Sequence, residues 1–182
     1  MRAVFAALAV SLGLFAGPAY AQDAKPATEA TGSNYDALEQ VQLTAAQVTN
    51  YIASVADMQA AMGDAPADAA EPDAKTMAKL EAISKQHGFK DFNDYNTVAG
   101  NISLVLDGVD PETKTYVGAD KLIAKSIAEV KADKTMKEVD RKAALTELQA
   151  QLKAATPVKF KGNIDLVVKN YDKLTADQGA AK

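Results

Sequence analysis

Apolar side chains recur every three to four residues along most of this chain, which is the spacing of amphipathic helices. The clearest series are Val48, Tyr51, Ile52, Val55, Met58 and Met62, then Phe92 to Leu106, and finally Ile164 to Leu174. We find no convincing alternation of the kind that strands show. The pattern predicts an all-α fold, with a single bundle of about five to six short helices within residues 34–175.

The first helix has the best-marked start. The Thr44 hydroxyl can accept a hydrogen bond from the amide of Gln47 while the Gln47 side chain reaches back, which is a capping box. Leu43 and Val48 occupy the two positions of a hydrophobic staple around that cap. We predict that this helix runs to Gly63, after which an acidic loop rich in Ala, Asp and Pro follows.

Residues 85–95 predict a tight corner between two helices. Gly88 can take the left-handed conformation that ends a helix over residues 73–87, and Phe89 can then fold back onto that helix. Asp91 is placed to cap the next helix. The apolar spacing of the helix before the corner predicts that three side chains face the core: Met77, Leu80 and Ile83.

The C-terminal half of the chain contains further signals for helix starts and ends. An acid followed by proline favours the start of a helix, and a later glycine favours an interruption of it. A Thr-x-x-Glu pattern predicts a second capping box, and an asparagine further on predicts the cap of the last helix. An extended stretch at residues 157–161 separates the last two helices. The residues concerned are Asp110 with Pro111, Gly118, Thr135 with Glu138, and Asn163. A short amphipathic turn is also predicted, with Tyr35, Leu38 and Val41 on one side.

The first residues are typical of a cleaved secretory signal. A positive start at Arg2 is followed by an uncharged apolar run of fourteen residues and by small residues at Ala19 and Ala21. That run is shorter than the roughly 20 apolar residues that a membrane span needs. We assign the segments as 1–21 signal peptide, 22–33 disordered linker, 34–175 helical domain and 176–182 frayed tail. We therefore expect a periplasmic or secreted protein whose mature chain has no transmembrane segment.

The composition excludes several kinds of chemistry. The 182 residues include no cysteine, no tryptophan and one histidine, so disulfides, thiolate nucleophiles and Cys-ligated metals are ruled out. The 24 Asp and Glu outnumber the 20 Lys and Arg. Acids interleave the Lys-rich stretch 120–142, which is typical of a solvated helix face and not of a nucleic-acid-binding surface. We expect no nucleic-acid partner.

His87 is the one conventional general base near neutral pH. It could form a small polar binding corner with Phe89, Asp91 and Tyr95, or it could simply complement the carbonyl end of its own helix. Acid pairs elsewhere lie at predicted caps and turns. Residues 110–121 have the length of an EF-hand loop but lack its glycine and its final glutamate. We predict no catalytic residue, no bound metal and no cofactor.

Two pentads fit the pattern Leu-Thr-x-x-Gln, one at residues 43–47 and one at residues 174–178. Two such pentads in a small, helical, cysteine-free chain with an export signal resemble the periplasmic LTxxQ chaperones of the envelope-stress response. The resemblance implies a helical protein that forms cradle-like dimers and holds unfolded clients. The first pentad is equally explained by the capping box described above.

The leading hypothesis is an exported, non-enzymatic helical protein that acts by surface binding, for instance in envelope homeostasis. The sequence leaves open whether the partner is a protein or a small ligand, what the oligomeric state is, and whether the loop 63–72 makes contacts. One alternative is a carrier of a small apolar ligand, although such stripes also serve as plain core. Its pocket would involve Met58, Met62, Met77, Phe89, Phe92 and Tyr95. Another is an enzyme that uses carboxylates, lysines and His87.

Overall fold

The computed structural model describes residues 38–63 and 72–176. These residues form seven helices and one short β-hairpin, which confirms the predicted all-α class. The helices are α1 (Ala45–Gly63), α2 (Ala74–Gln86), α3 (Phe92–Leu106), α4 (Ala119–Ala132), α5 (Glu138–Ala154), α6 (Lys161–Lys169) and α7 (Tyr171–Thr175). The antiparallel strands β1 (Val109–Asp110) and β2 (Thr115–Tyr116) lie between α3 and α4.

Several sequence predictions lie outside the described residues. They concern the signal peptide at 1–21, the linker at 22–33, the interior of the loop 63–72 and the tail beyond residue 176. Those assignments stay predictions. Among the helices that are described, none combines the length and the apolar character that crossing a membrane requires.

The core lies between α1, α2, α3 and α6. Helix α1 packs against α2 and α3, and α3 packs against α6. Each large apolar side chain that is removed from water stabilises the fold by about 1.5–3 kcal/mol. The most deeply buried apolar side chains are Val48, Met58, Leu80, Tyr95, Val98, Ile102, Val105 and Val167.

The predicted start of the first helix is confirmed. The amide of Gln47 donates to Thr44 Oγ1 at 3.2 Å, and the amide of Thr44 donates to Gln47 Oε1 at 2.9 Å. Leu43 and Val48, the predicted staple pair, are both buried in the core. Because two amide groups that lack helical partners are satisfied here, α1 begins at a fixed residue.

The predicted helix start at Asp110 and Pro111 is wrong. Asp110 Oδ1 accepts from the amides of Glu112 and Thr113, at 2.9 and 3.2 Å, and the chain turns into β2. An acid followed by proline initiates turns as well as helices, and only the pairing of β1 with β2 decides between them. Gly118 does not interrupt a helix but precedes α4 as its N-cap, with φ at 102°.

The second capping box and the asparagine cap are also wrong. The Thr135 amide and hydroxyl both donate to Asp133 Oδ1, at 2.7 and 2.6 Å, so α5 begins later, at Glu138. The last helices begin at Lys161 and Tyr171, and Asn163 bonds to a distant part of the chain instead of capping its own helix.

Two apolar assignments are corrected as well. The sequence predicts that Met77 faces the core, but its side chain is 39% exposed. The segment at residues 38–43 contains no helical turn. Leu80 is fully buried and Ile83 packs against the core, as the spacing predicts.

The sequence predicts that all the helices share one bundle, but α4 and α5 lie apart from the central helices. They pack mainly against each other and touch the remaining elements sparsely. We call residues 119–154 the α4–α5 arm. Within it, Ile127 is the single buried residue, and Val139 is 79% exposed. The apolar stripes of the two helices therefore serve to hold the arm together, and its outer faces meet solvent.

Candidate functional site

The corner between α2 and α3 has the geometry that its sequence predicts. Gly88 has φ at +82°, its amide donates to the carbonyl of Lys85, and the amide of Phe89 donates to the carbonyl of Ser84. These two bonds define a Schellman ending. Asp91 then accepts from the amide of Asp94 at 2.7 Å and caps α3. The carboxylate of Asp91 is therefore engaged in the fold of the corner.

His87 contacts a residue that the sequence analysis missed. Its Nε2 atom lies 2.8 Å from Oδ2 of Asp57, which belongs to α1. The His87 side chain is 15% exposed and that of Asp57 is 54% exposed. Asp57 is the one charged residue of α1, and a single charge on an otherwise uncharged helix is the signal by which the sequence could have indicated a partner for His87. The contact joins the corner to α1, so His87 has a structural partner.

The two aromatic members of the corner are core residues. Tyr95 is 2% and Phe89 is 4% exposed, and their rings meet edge to face with centroids 5.3 Å apart. Tyr51 and Phe92 stack on Tyr95 at 5.6 and 6.0 Å. Burial raises the pKa of Tyr95 above its ordinary value, and burial also raises the pKa of Tyr51. The polar groups of the corner are thus engaged by Asp57 and by the amide of Asp94, and its aromatic rings belong to the protein interior.

A shallow depression of about 480 Å³ lies beside this corner, between α1 and α2. Alanines on both helices leave the space, and Asp57 stands at its edge. The lining residues are Asp57, Ala60, Ala61, Lys79, Ala82, Ile83 and Gln86. The pocket predicted for an apolar ligand is a different set of residues, of which Met58, Phe89 and Tyr95 are buried core and Met77 lies at the surface.

Residues 38–43 form a segment without helix or strand pairing that is held by side-chain amides, and we call it the strap. Asn101, in the middle of α3, is 1% exposed. Its Nδ2 donates to the carbonyl of Glu39 at 2.9 Å, and its Oδ1 accepts from the amide of Val41 at 3.0 Å. A mid-helix asparagine thus supplies the donor and the acceptor that a neighbouring strand would supply.

Asn163 in α6 repeats this arrangement two residues further along the strap. It is 2% exposed, donates to the carbonyl of Val41 at 2.8 Å and accepts from the amide of Leu43 at 2.8 Å. Residues 39, 41 and 43 therefore turn their backbone groups to the same side, which is the pattern of an extended strand.

Two further contacts fix the strap. The Gln40 side chain donates to the carbonyl of Pro157 at 3.1 Å and accepts from the amide of Lys159 at 2.9 Å. A Cβ at Gly100 would lie 2.7 Å from Leu38 Cδ1, so the absent side chain of this glycine makes room for Leu38. The strap is thereby joined to α3, to α6 and to the segment that follows the α4–α5 arm.

Among the residues of 38–63 and 72–176, no group of three His, Cys, Asp or Glu side chains is placed to hold a metal ion. The first Leu-Thr-x-x-Gln pentad has a local structural role, because Thr44 and Gln47 cap α1 and Leu43 is buried. The second pentad extends past the described residues. Comparisons with known proteins found no matching family, no similar curated protein and no similar solved structure.

Proposed function

We propose that this chain is an exported, non-enzymatic protein that binds another protein through the outer faces of its α4–α5 arm. The observation that carries the proposal is the position of the arm: its two helices pack mainly on each other and leave the core to α1, α2, α3 and α6.

The arm is ordered although it buries little apolar surface, and this supports a role in contacts with another protein. Fixing one residue of backbone costs roughly 1–2 kcal/mol in conformational entropy, and burial of apolar surface is the main term that offsets it. The arm buries Ile127 and no residue of α5, while Val139 stands 79% exposed. The arm therefore contributes little to the stability of the core, which favours a role for its outward surface.

The charge of the arm indicates what kind of surface it would bind. Its residues 119–154 contain eight Lys and Arg and six Asp and Glu, whereas the whole chain has a net charge of −4. Exposed alanines such as Ala143 and Ala150 lie among these charges. A face of mixed charge and small apolar side chains suits a folded protein surface of mixed charge, and complementary charges would set its orientation.

Cysteine-directed photo-crosslinking tests this proposal cleanly, because the chain has no cysteine of its own. We would attach the crosslinker at A150C on the arm, and at A53C on α1 as the matched control, since both alanines are exposed helix positions. Capture of the same protein in the cell envelope from A150C and not from A53C is the expected result. Equal capture from both positions would contradict the role of the arm.

Binding of the purified captured protein provides the second step. We expect V139D on the arm to weaken its affinity at least about tenfold, because a desolvated charge opposes an apolar contact. A53D on α1 should leave the affinity unchanged. If a reduced, aggregating client is also kept soluble by the native chain and not by V139D, the partner class includes unfolded polypeptides.

A further inference from the structure

We propose that the strap, residues 38–43, fills a second binding site in cis, and that this site takes an extended peptide segment of another protein. The site is the groove between α3 and α6 that contains Asn101 and Asn163. It is distinct from the α4–α5 arm and does not depend on the function proposed for it.

The two asparagines recognise main chain, not side chains. Each is at most 2% exposed and bonds one carbonyl and one amide of the strap. Every polypeptide offers these groups in the same spacing when it is extended, so this recognition applies to any peptide that can adopt that conformation. In an empty groove Asn163 would lose both of its bonds to the strap, and Asn101 would keep only its bond to the carbonyl of Thr97, which favours occupation of the groove.

Side-chain selection comes from three positions of the strap. Leu38 lies against the bare backbone of Gly100, Leu43 is 4% exposed, and Val41 packs against the core. The strap therefore displays what the site accepts: an extended segment with apolar side chains at its first, fourth and sixth positions. Gln40, at the third position, adds the bonds to Pro157 and Lys159.

Release of the strap from the groove would break no backbone hydrogen bond of a helix, although it would expose Leu43. The strap precedes the cap at Thr44 and takes part in no helix or β-pairing of its own. Because the strap is part of the same chain, its effective concentration at the groove is high, and a free peptide must compete against it. The strap thus keeps the site closed to weak ligands and admits a partner that fits better or is held nearby.

Amide exchange in the native chain is the first test. The probe is a synthetic peptide with the sequence of residues 36–44, Asp-Ala-Leu-Glu-Gln-Val-Gln-Leu-Thr, added in excess to ¹⁵N-labelled protein. We expect the amides of Val41 and Leu43 to lose protection as the peptide displaces the strap, while α1 amides keep theirs. The same peptide with both leucines and the valine replaced by aspartate should have no effect.

A strap variant of the full chain, L38D/V41D, gives the second test, since it leaves every groove residue unchanged. We expect it to bind a fluorescently labelled copy of the peptide of residues 36–44 at least about tenfold more tightly than the native chain does, because its own strap competes less well for the groove. Adding N163A should reduce that binding about tenfold or more through loss of two hydrogen bonds. N93A, at an exposed asparagine of α3, is the matched control and should bind like the strap variant.

Three results would overturn the proposal. The first is protection of Val41 and Leu43 that persists at saturating peptide together with no binding to the strap variant. The second is binding that survives N163A, which would place the peptide elsewhere. The third is a stable dimer of the strap variant with no uptake of peptide, which would make a second copy the occupant. Crosslinking from the arm does not change in any of these cases, so the two proposals fail independently.

Discussion

His87 Nε2 lies 2.8 Å from Asp57 Oδ2 and joins the end of α2 to the middle of α1. We expect H87A and D57A each to lower the free energy of unfolding. The coupling between them should be about 0.2–1 kcal/mol, because the carboxylate is 54% exposed and solvent screens the pair. A double-mutant cycle from urea unfolding measures it. Additive single effects would show that the contact does not stabilise the corner.

Gly88 has φ at +82°, and an added Cβ would lie 3.0 Å from Asn50 Nδ2. We expect G88A to destabilise the protein by about 1–2 kcal/mol, which is the cost of a left-handed conformation for a residue with a side chain. The matched control is G63A, because nothing lies within 4 Å of a Cβ at that helix end. Chemical unfolding of both variants measures the difference. Equal stabilities would contradict the strain at residue 88.

The pKa of Tyr95 is raised, chiefly by burial, and burial raises that of Tyr51 as well. In the unfolded chain these phenols ionise near their ordinary pKa of 10.0, while burial in the folded chain keeps them neutral to higher pH. Their contribution to stability is therefore complete below pH 10 and is lost as the pH rises from there toward the folded pKa values. Urea unfolding between pH 8 and 11 should show this loss.

The same experiment on Y95F isolates the buried phenol. This variant lacks the hydrogen bond between Tyr95 and Ser54, so it starts from a lower stability at pH 8. Its further loss up to pH 11 should nevertheless be smaller than that of the native chain. Parallel curves for the two proteins would show that Tyr95 ionises as readily in the folded state as in the unfolded state.

Arg141 closes the tip of the α4–α5 arm. Its guanidinium donates to the carbonyls of Asp133 and Met136, at 2.7 and 2.9 Å. We expect R141M to increase amide exchange of residues 133–137 at least about tenfold, because two charge-assisted hydrogen bonds are lost. The neighbouring K142M, at an exposed position, is the control and should leave that exchange unchanged. Unaltered exchange in R141M would show that the loop holds its shape without the arginine.

Much of the local structure could be predicted from the sequence because it is decided over three to six residues. The Thr44 capping box, the Gly88 ending and the Asp91 cap each need only neighbouring backbone groups, and all three are confirmed. The second capping box failed for a local reason too: Asp133 lies two residues before Thr135 and is the better acceptor for its amide and hydroxyl.

The contacts of the candidate sites could not be predicted because their partners are far apart in sequence. Asp57 meets His87 across 30 residues, and Asn163 meets Leu43 across 120. An asparagine near the start of a helix has the composition of a cap, so only the position of the strap shows its other role. The arm was missed because helix periodicity states which stripe is apolar and not which element covers it.

The bonds of Asn163 to Val41 and Leu43 have a consequence for the order of events during synthesis. A growing polypeptide appears from its first residue onward, so the strap is made long before the side chain that holds it. Until position 163 has emerged, those backbone groups have only water as a partner. The strap is therefore among the last segments to reach its native conformation. A chain that ends before α6 cannot form the native hydrogen bonds of Val41 and Leu43 to Asn163.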